Sequence, residues 1–255
     1  VELVHSATLL HDDVVDLGDQ RRGAPAARVV YGNAASIFAG DWLLIEAIRR
    51  VMRARLPGLV ERLLEVIDEM IVAESAQLAG RGRVSTDRGA YFRVIEGKTA
   101  ALFRWAMRAG AHAAGCPAEV TDALARFGQD LGVAFQIVDD CLDFAGDTGV
   151  TGKALYTDLR EGKLTLPLLF ALRRDPSLRT LVADAIADDD AVPEVTRMRH
   201  RAIGARLAAA GALDEARAAA NQRIARAIAA LEVLPSGPAK AALVTVAEAT
   251  ATREK

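Results

Sequence analysis

Apolar residues recur at spacings of three and four along almost the whole chain, while β-branched alternation is nearly absent. A chain patterned this way can bury its apolar side only by packing helix on helix. Ala, Leu, Glu and Arg, all favourable in helices, fill the repeats. The spacing predicts helices over 1–17, 33–55, 58–79, 87–114, 117–145, 161–174, 177–187, 192–209, 212–233 and 238–252. Breaks fall at Gly32-Asn33, Pro57-Gly58, Gly115-Cys116-Pro117, Gly146, Asp175-Pro176, Pro193, Gly211 and Pro235-Ser236-Gly237-Pro238, where glycine and proline interrupt the helical hydrogen-bond ladder. None is long enough for a flexible linker, and no repeat of fixed period is visible. The expectation is an all-α, single-domain helical bundle covering 1–255. The chain opens at Val1 inside VELVHSATLL, which reads as the middle of a helix. The domain is therefore expected to lack its N-terminal helices here, and part of a site with them.

Composition narrows the partners. The 255 residues carry a net charge of -2, whereas binding nucleic acid needs a basic excess to neutralise phosphates. Any anionic ligand must be held by local basic residues. Cys116 and Cys141 form neither a CxxC motif nor a disulfide framework, which suits a reducing cytoplasm. No apolar run reaches the ~18–20 residues of a bilayer span. Leu102–Cys116 comes nearest and is broken by Arg104, Arg108 and His112. The start shows no signal-peptide pattern.

Two acidic clusters carry the chemistry. His11-Asp12-Asp13-Val14-Val15-Asp16 ends an otherwise apolar helix. Residues four apart lie about 40° apart around a helix, so Asp12 and Asp16 share a face, with Asp13 to one side. Carboxylates this close repel unless a cation joins them. Oxygen-only donors favour a hard ion, and few protein ligands suit Mg²⁺, which keeps waters and substrate phosphate oxygens. A solvated acidic helix end would account for one such cluster. However, Gln136-Ile137-Val138-Asp139-Asp140-Cys141-Leu142-Asp143 repeats the same spacing on another apolar helix, with Asp147 one turn further. Two coincidences of this kind are much rarer than one. Asp188-Asp189-Asp190 lacks the apolar setting and reads as a solvated loop.

Basic residues complete a pattern suited to diphosphate. Arg21-Arg22 follow Asp16 in a glycine-flanked loop, placed to fork onto phosphate oxygens. Lys98-Thr99 lies within 87–114, Lys153 just beyond Gly146–Gly152, and Lys163 in Arg160-Glu161-Gly162-Lys163. Each alone is an ordinary surface charge. Together with the carboxylates they imply a metal-bridged diphosphate held from several sides.

At these residues the chain resembles the trans-isoprenyl (polyprenyl) diphosphate synthases. LLHDDVVDLGDQRRG, followed by GNAASIFAGDWLL, is similar to that family's first aspartate-rich region. FQIVDDCLDFAGD, then GKALYTDLREGKLTLPLL, resembles the second region and its lysine loop, and GKTAALF resembles the Lys-Thr segment between them. The blocks keep the family's order and cover essentially the whole chain. The resemblance implies the isoprenoid-synthase fold around a central cavity, a homodimer, and about three Mg²⁺ ions per site with substrate bound. It further implies that Asp12 and Asp16, supported by Asp13, bind metal on the allylic diphosphate. Asp139 would hold a further ion, with Asp140 and Asp143 completing the second cluster. Arg21, Lys98, Lys153 and Lys163 would grip the allylic diphosphate, and Arg22 and His5 the isopentenyl diphosphate. A core histidine is the plainer reading of His5. Thr99 and Gln136 would lie near the reacting carbons. Two departures stand out. The family's Gly-Gly-Lys-x-x-Arg segment would precede Val1, and the lysine loop reads GKALYTD where many relatives have a proline and a glycine.

The implied reaction is ionisation of the allylic C–O bond, attack by the isopentenyl double bond, and loss of a proton, all kept from water by apolar helices. It requires the two clusters to confront each other across one apolar cleft. Ala7 and Thr8, five and four residues before Asp12, are small. In the family a bulky aromatic near these positions stops chain growth, so their size implies a product of hexaprenyl length or more. No bilayer span is expected, which leaves peripheral membrane contact as a route for product release. A class I terpene cyclase would carry an Asn/Asp-x-x-Ser-x-x-x-Glu second motif, which Asp139–Asp143 does not match. A non-catalytic subunit of a heteromeric synthase tends to lose one aspartate cluster, and both are intact. A purely structural scaffold would leave six carboxylates on two apolar helices unexplained.

Overall fold

The computed structural model describes residues 1–145, 155–187 and 192–253. Lys153, Asp147 and the Asp188–Asp190 run lie outside them. The described residues are almost entirely helical, as the periodicity predicts, and their contacts group into two compact units, Val1–Glu65 and Val66–Lys255.

In the first unit, α1 (Glu2–Val15) leads into a two-residue hairpin, β1 (Gln20–Arg21) with β2 (Ala24–Pro25), then α2 (Ala27–Tyr31) and α3 (Asn33–Arg53). The hairpin and α2 fall in a stretch for which the sequence predicts no regular element. Their signal is local. Arg22 and Gly23 both have positive φ, 53° and 76°, the tight turn that matches strand twist. α1 packs on α3, and the small residues of α3 permit the approach. Ser36 Oγ donates to the Leu10 carbonyl at 2.9 Å, and a Cβ at Gly40 would lie 2.3 Å from His11 Nε2. The small side of α3 is thus used against α1. Its other side exposes Phe38 (72%) and Trp42 (61%).

The boundary between the units falls within α4 (Leu59–Gly80). The second unit continues with α5 (Arg88–Ile95), a π-helical turn (Glu96–Ala100), α6 (Ala101–Ala113), α7 (Ala118–Ala145), α8 (Thr157–Arg160), α9 (Leu166–Arg174), α10 (Leu178–Ala187), α11 (Pro193–Ala209), α12 (Ala212–Ala230), a 3₁₀ turn (Leu231–Val233) and α13 (Pro238–Ala251). α7 is its axis, flanked by α6 and α12. Gly128 and Gly132 let α6 close on α7, since a Cβ at either would stand 2.6 Å from backbone of Phe103 or Ala100. Phe127, Ile137, Leu166, Leu168, Phe170 and Leu207 are fully buried in this core, each contributing about 1.5–3 kcal/mol.

Two helix boundaries differ from the sequence expectation. The predicted helix 87–114 is interrupted by the π turn, which carries Lys98 and Thr99. The predicted helix 161–174 begins only at Leu166, because Gly162 takes a left-handed φ of 72° and Pro167 fits only the first turn of a helix. Gly162 also passes close to Gly82, whose N–H donates to its carbonyl at 3.1 Å. The chain therefore turns at Glu161–Gly162, and the Lys163 side chain that follows is largely enclosed. Among the described residues no helix is long and apolar enough to cross a membrane.

Candidate functional site

In the first unit the acidic cluster forms the C-terminal turn of α1, with Asp16 as its cap residue. Asp13 is the buried member, 3% exposed. Arg21 clasps it, donating to Asp13 Oδ1 from Nε at 3.0 Å and from the terminal nitrogen at 2.5 Å. Asp12 and Asp16 are half-buried. The sequence places Asp13 to one side of its neighbours, and the structure gives that side a function: anchoring the arginine. Arg21, expected on diphosphate, spends hydrogen bonds on Asp13, while Arg22 at the hairpin tip is exposed. His5 is also exposed, which removes the core-histidine reading. Arg28, which sequence reasoning missed, braces the turn after the cluster. It donates to the carbonyls of Gly18 (2.8 Å) and Leu17 (2.6 Å) and to Asp19 Oδ1 (2.8 Å). Ala7 is 1% exposed, whereas Thr8 is half-buried and its hydroxyl donates back to the His5 carbonyl at 2.8 Å.

In the second unit the C-terminal part of α7 gathers several of the predicted residues into one hydrogen-bonded chain. Thr99 Oγ1 donates to Gln136 Oε1 at 2.8 Å, Gln136 Nε2 donates to Asp140 Oδ1 at 2.9 Å, and Tyr91 Oη donates to Asp140 Oδ2 at 2.5 Å. Tyr91 was not singled out from sequence, since a tyrosine seven residues before Lys98 carries no motif of its own. Asp140 is 3% exposed. Burial pushes its carboxyl up to about 7 against the opposing pull of the Tyr91 and Gln136 hydrogen bonds. Burial also raises Asp143, to about 6, although the amides of Thr157 and Asp158 donate to its oxygens at 2.9 and 3.3 Å. Asp158, a half-buried acid not assigned from sequence, is raised by desolvation and then by Asp140 and Asp143.

Lys98 and Lys163 are both engaged. Lys98 pairs with Glu74 and donates to Gln77 Oε1 at 3.2 Å. Lys163 pairs with Glu161 at 2.5 Å. Arg253, near the chain's end and absent from the sequence-level candidates, reaches Asp139 at 3.4 Å and covers the Phe135 ring at 4.6 Å. Nothing local in ATATREK signals that contact.

The donor set fits a hard divalent ion. Among the described residues no three His, Cys, Asp or Glu side chains converge as a complete protein-made cage. Asp140, Asp143 and Asp158 stand close to Asp139, and desolvation favours their protonated forms; a cation there would favour their ionisation.

Comparison with known proteins agrees with this chemistry. Residues 1–201 match the family described as Polyprenyl synthetase. The chain is 36% identical over 258 residues to an octaprenyl diphosphate synthase of Escherichia coli (strain K12), covering 100% of this chain and 78% of that protein. It is 34% identical over 257 residues to a nonaprenyl diphosphate synthase of Mycobacterium tuberculosis, covering 99% and 74%. Among solved structures, a polyprenyl synthase from Caulobacter crescentus CB15, complexed with calcium and isoprenyl diphosphate, superimposes with a TM-score of 0.92 at 34% identity, covering 100% of this chain and 76% of that one. A decaprenyl diphosphate synthase from Rhodobacter capsulatus gives 0.90 at 34% identity, covering 100% and 77%.

Proposed function

The chain belongs to the polyprenyl synthetase family, and from that premise we propose how its own residues condense isopentenyl diphosphate with an allylic diphosphate. The observation that carries the reading is the linked set Thr99–Gln136–Asp140–Tyr91 beside Asp139. It fixes one acidic cluster without consuming its outer carboxylate in that network. Asp12, Asp16 and Asp139 are the metal-facing groups, and Asp13, Asp140 and Asp143 orient them. A bound divalent ion supplies neutralisation of the charge that builds on the departing diphosphate. Lys98, Lys153, Lys163 and Arg21 share that charge, and His5 and Arg22 take the isopentenyl diphosphate. Lys98 and Lys163 now sit on glutamates, so a diphosphate must compete for them. Thr99 and Gln136, hydrogen-bonded to each other, are assigned to the vicinity of the reacting carbons, where fixed dipoles stabilise developing positive charge. Water must be kept from the allylic cation; the isopentenyl double bond adds to it, and the tertiary cation so formed gives a proton to the released diphosphate to restore a double bond.

Magnesium, at about three ions per site, is the metal of this reading. The calcium seen with the Caulobacter relative supports a divalent ion. A second copy of the chain is the assigned partner of the apolar side of α3, where Phe38, Trp42 and Met52 are exposed. Cys116 and Cys141 are unpaired, in keeping with a cytoplasmic setting.

The deciding experiment incubates the protein with labelled isopentenyl diphosphate and geranyl, farnesyl or geranylgeranyl diphosphate, with and without Mg²⁺, and sizes the products. Mg²⁺-dependent products of hexaprenyl length or longer are expected. Incorporation that survives chelation defeats the metal assignment. In the same assay Ala7→Phe and Thr8→Phe should each shorten the product. Ala7 is already enclosed, so its substitution must displace neighbours, and Thr8→Phe is the cleaner probe. An unchanged product profile in both would remove this stretch of α1 from length control.

A further inference from the structure

Tyr156 is a non-glycine residue with a left-handed backbone, at φ 61° and ψ 29°. That conformation is unfavourable for any residue with a Cβ and persists only where the surroundings impose it. Three neighbours do so. The His200 ring of α11 stacks on the phenol at 4.4 Å between centroids and 16° between planes. Phe144 of α7 meets it edge-on at 5.4 Å and 85°. Gly204, one helical turn after His200, leaves space for the hydroxyl, because a Cβ there would stand 2.4 Å from Tyr156 Oη. Tyr156 also falls in GKALYTD, the segment where this chain departs from the family pattern.

The left-handed turn has a use. A left-handed residue followed by right-handed ones points successive N–H groups into one concavity, an arrangement that holds anions. Here the occupant is Asp143. The Tyr156 N–H donates to the Asp143 carbonyl at 2.9 Å, the Thr157 N–H to Oδ1 at 2.9 Å, and the Asp158 N–H to Oδ2 at 3.3 Å. Asp143 lies one turn beyond Asp139, so whatever fixes the first constrains the end of α7 that presents the second.

We propose that Tyr156, clamped by His200 and Gly204, is a positioning residue for the second aspartate cluster. It sets the backbone that grips Asp143 and so holds Asp139 in register for metal and diphosphate. This rests on the assignment of Asp139 as a metal-facing carboxylate. Tyr156 touches no reacting atom and acts through Asp143.

The test uses the full chain, with Mn²⁺ and inorganic pyrophosphate as probes. Tyr156→Gly accepts the left-handed turn but has no ring to clamp, and His200→Ala removes the stack. Both should speed hydrogen exchange at the amides of residues 157 and 158. Both should also weaken Mn²⁺ binding, read by electron paramagnetic resonance, about ten-fold, as loss of an outer partner of a metal ligand does. In steady-state kinetics the metal requirement should rise more than kcat at saturating metal falls. Tyr156→Phe keeps the stack and should behave as the parent. Gly204→Ala should mimic His200→Ala, although alanine is the better helix former, and adding Tyr156→Phe should restore it by removing the clashing oxygen. Parental exchange and Mn²⁺ affinity in both Tyr156→Gly and His200→Ala, with Asp139→Ala impaired, would overturn the positioning role alone. Parental Mn²⁺ binding and condensation in Asp139→Ala would instead overturn the metal assignment and this proposal with it.

Discussion

The two aspartate clusters have the same spacing on the same kind of helix end, yet they are anchored by opposite means. In each, the middle carboxylate turns inward, with Asp13 and Asp140 both 3% exposed. Asp13 meets a cation, the Arg21 guanidinium. Asp140 meets two neutral donors, Tyr91 and Gln136. The chain that follows each cluster is also held with opposite polarity. Carbonyls of Leu17 and Gly18 point to Arg28, whereas amides of residues 157 and 158 point to Asp143. Spacing therefore decides which carboxylates share a face, and the partner decides whether the buried one balances a charge or is drawn toward neutrality. The first cluster is partly neutralised by the Arg21 guanidinium. In the second, burial draws Asp140 and Asp143 toward their protonated forms.

The widest test of this comparison removes the outer carboxylates. Asp12→Ala and Asp139→Ala should each lower kcat by about 10²–10³, the usual effect of deleting one preorganised electrostatic contact at a reacting centre. Single-turnover assays at saturating Mg²⁺ read the effect directly. If one substitution is tolerated and the other is not, the clusters are not functional equivalents and the parallel between them fails.

The middle carboxylates should separate by stability. Asp13→Asn leaves Arg21 without its counter-charge and should cost about 1–2 kcal/mol, discounted because Arg21 is itself half open to solvent. Asp140→Asn keeps an oxygen for Tyr91 or Gln136 and removes a charge that burial disfavours, so it should cost under about 1 kcal/mol. Urea denaturation of the metal-free protein compares the two. Equal losses would mean that the polarity of the partner is irrelevant.

Which of these features the sequence discloses follows from how local their physics is. Helix periodicity, carboxylate spacing and the Lys98-Thr99 pair are set by residues within two turns, and the structure reproduces the all-α reading and the helical setting of both clusters. The partners are set by folding. Tyr91 reaches Asp140 across 49 residues and Arg253 reaches Asp139 across 114, and no spacing rule connects such positions. The π turn at Glu96–Ala100 fails to show because its residues are ordinary helix formers. Its Gly97 passes so close to α4 that a Cβ would lie 2.7 Å from that of Ala73. The turn at Gly162 had a local sign, Pro167, but the periodic apolar run around it reads as continuous helix. Arg28 looked like one of many surface arginines until its three acceptors were placed around it.

Arg28 also supplies the finest test. Its side chain is largely enclosed and serves two carbonyls and one carboxylate through a planar fork. Arg28→Lys keeps the charge but cannot span all three acceptors. One or two hydrogen bonds should be lost, about 1 kcal/mol in all, with the turn at Leu17–Asp19 loosened and the helix α1 intact. Because the carbonyls remain near solvent and water can replace the fork, KM for the diphosphates should rise a few-fold while kcat holds. Asp143→Asn alters the corresponding grip after the second cluster, where the acceptor is half-buried and its donors are backbone amides. It should cost more than Arg28→Lys in both stability and metal use. If Arg28→Lys is the more damaging of the two, the turn after the first cluster is the tighter part of the machinery, and the contrast drawn between the clusters runs the other way.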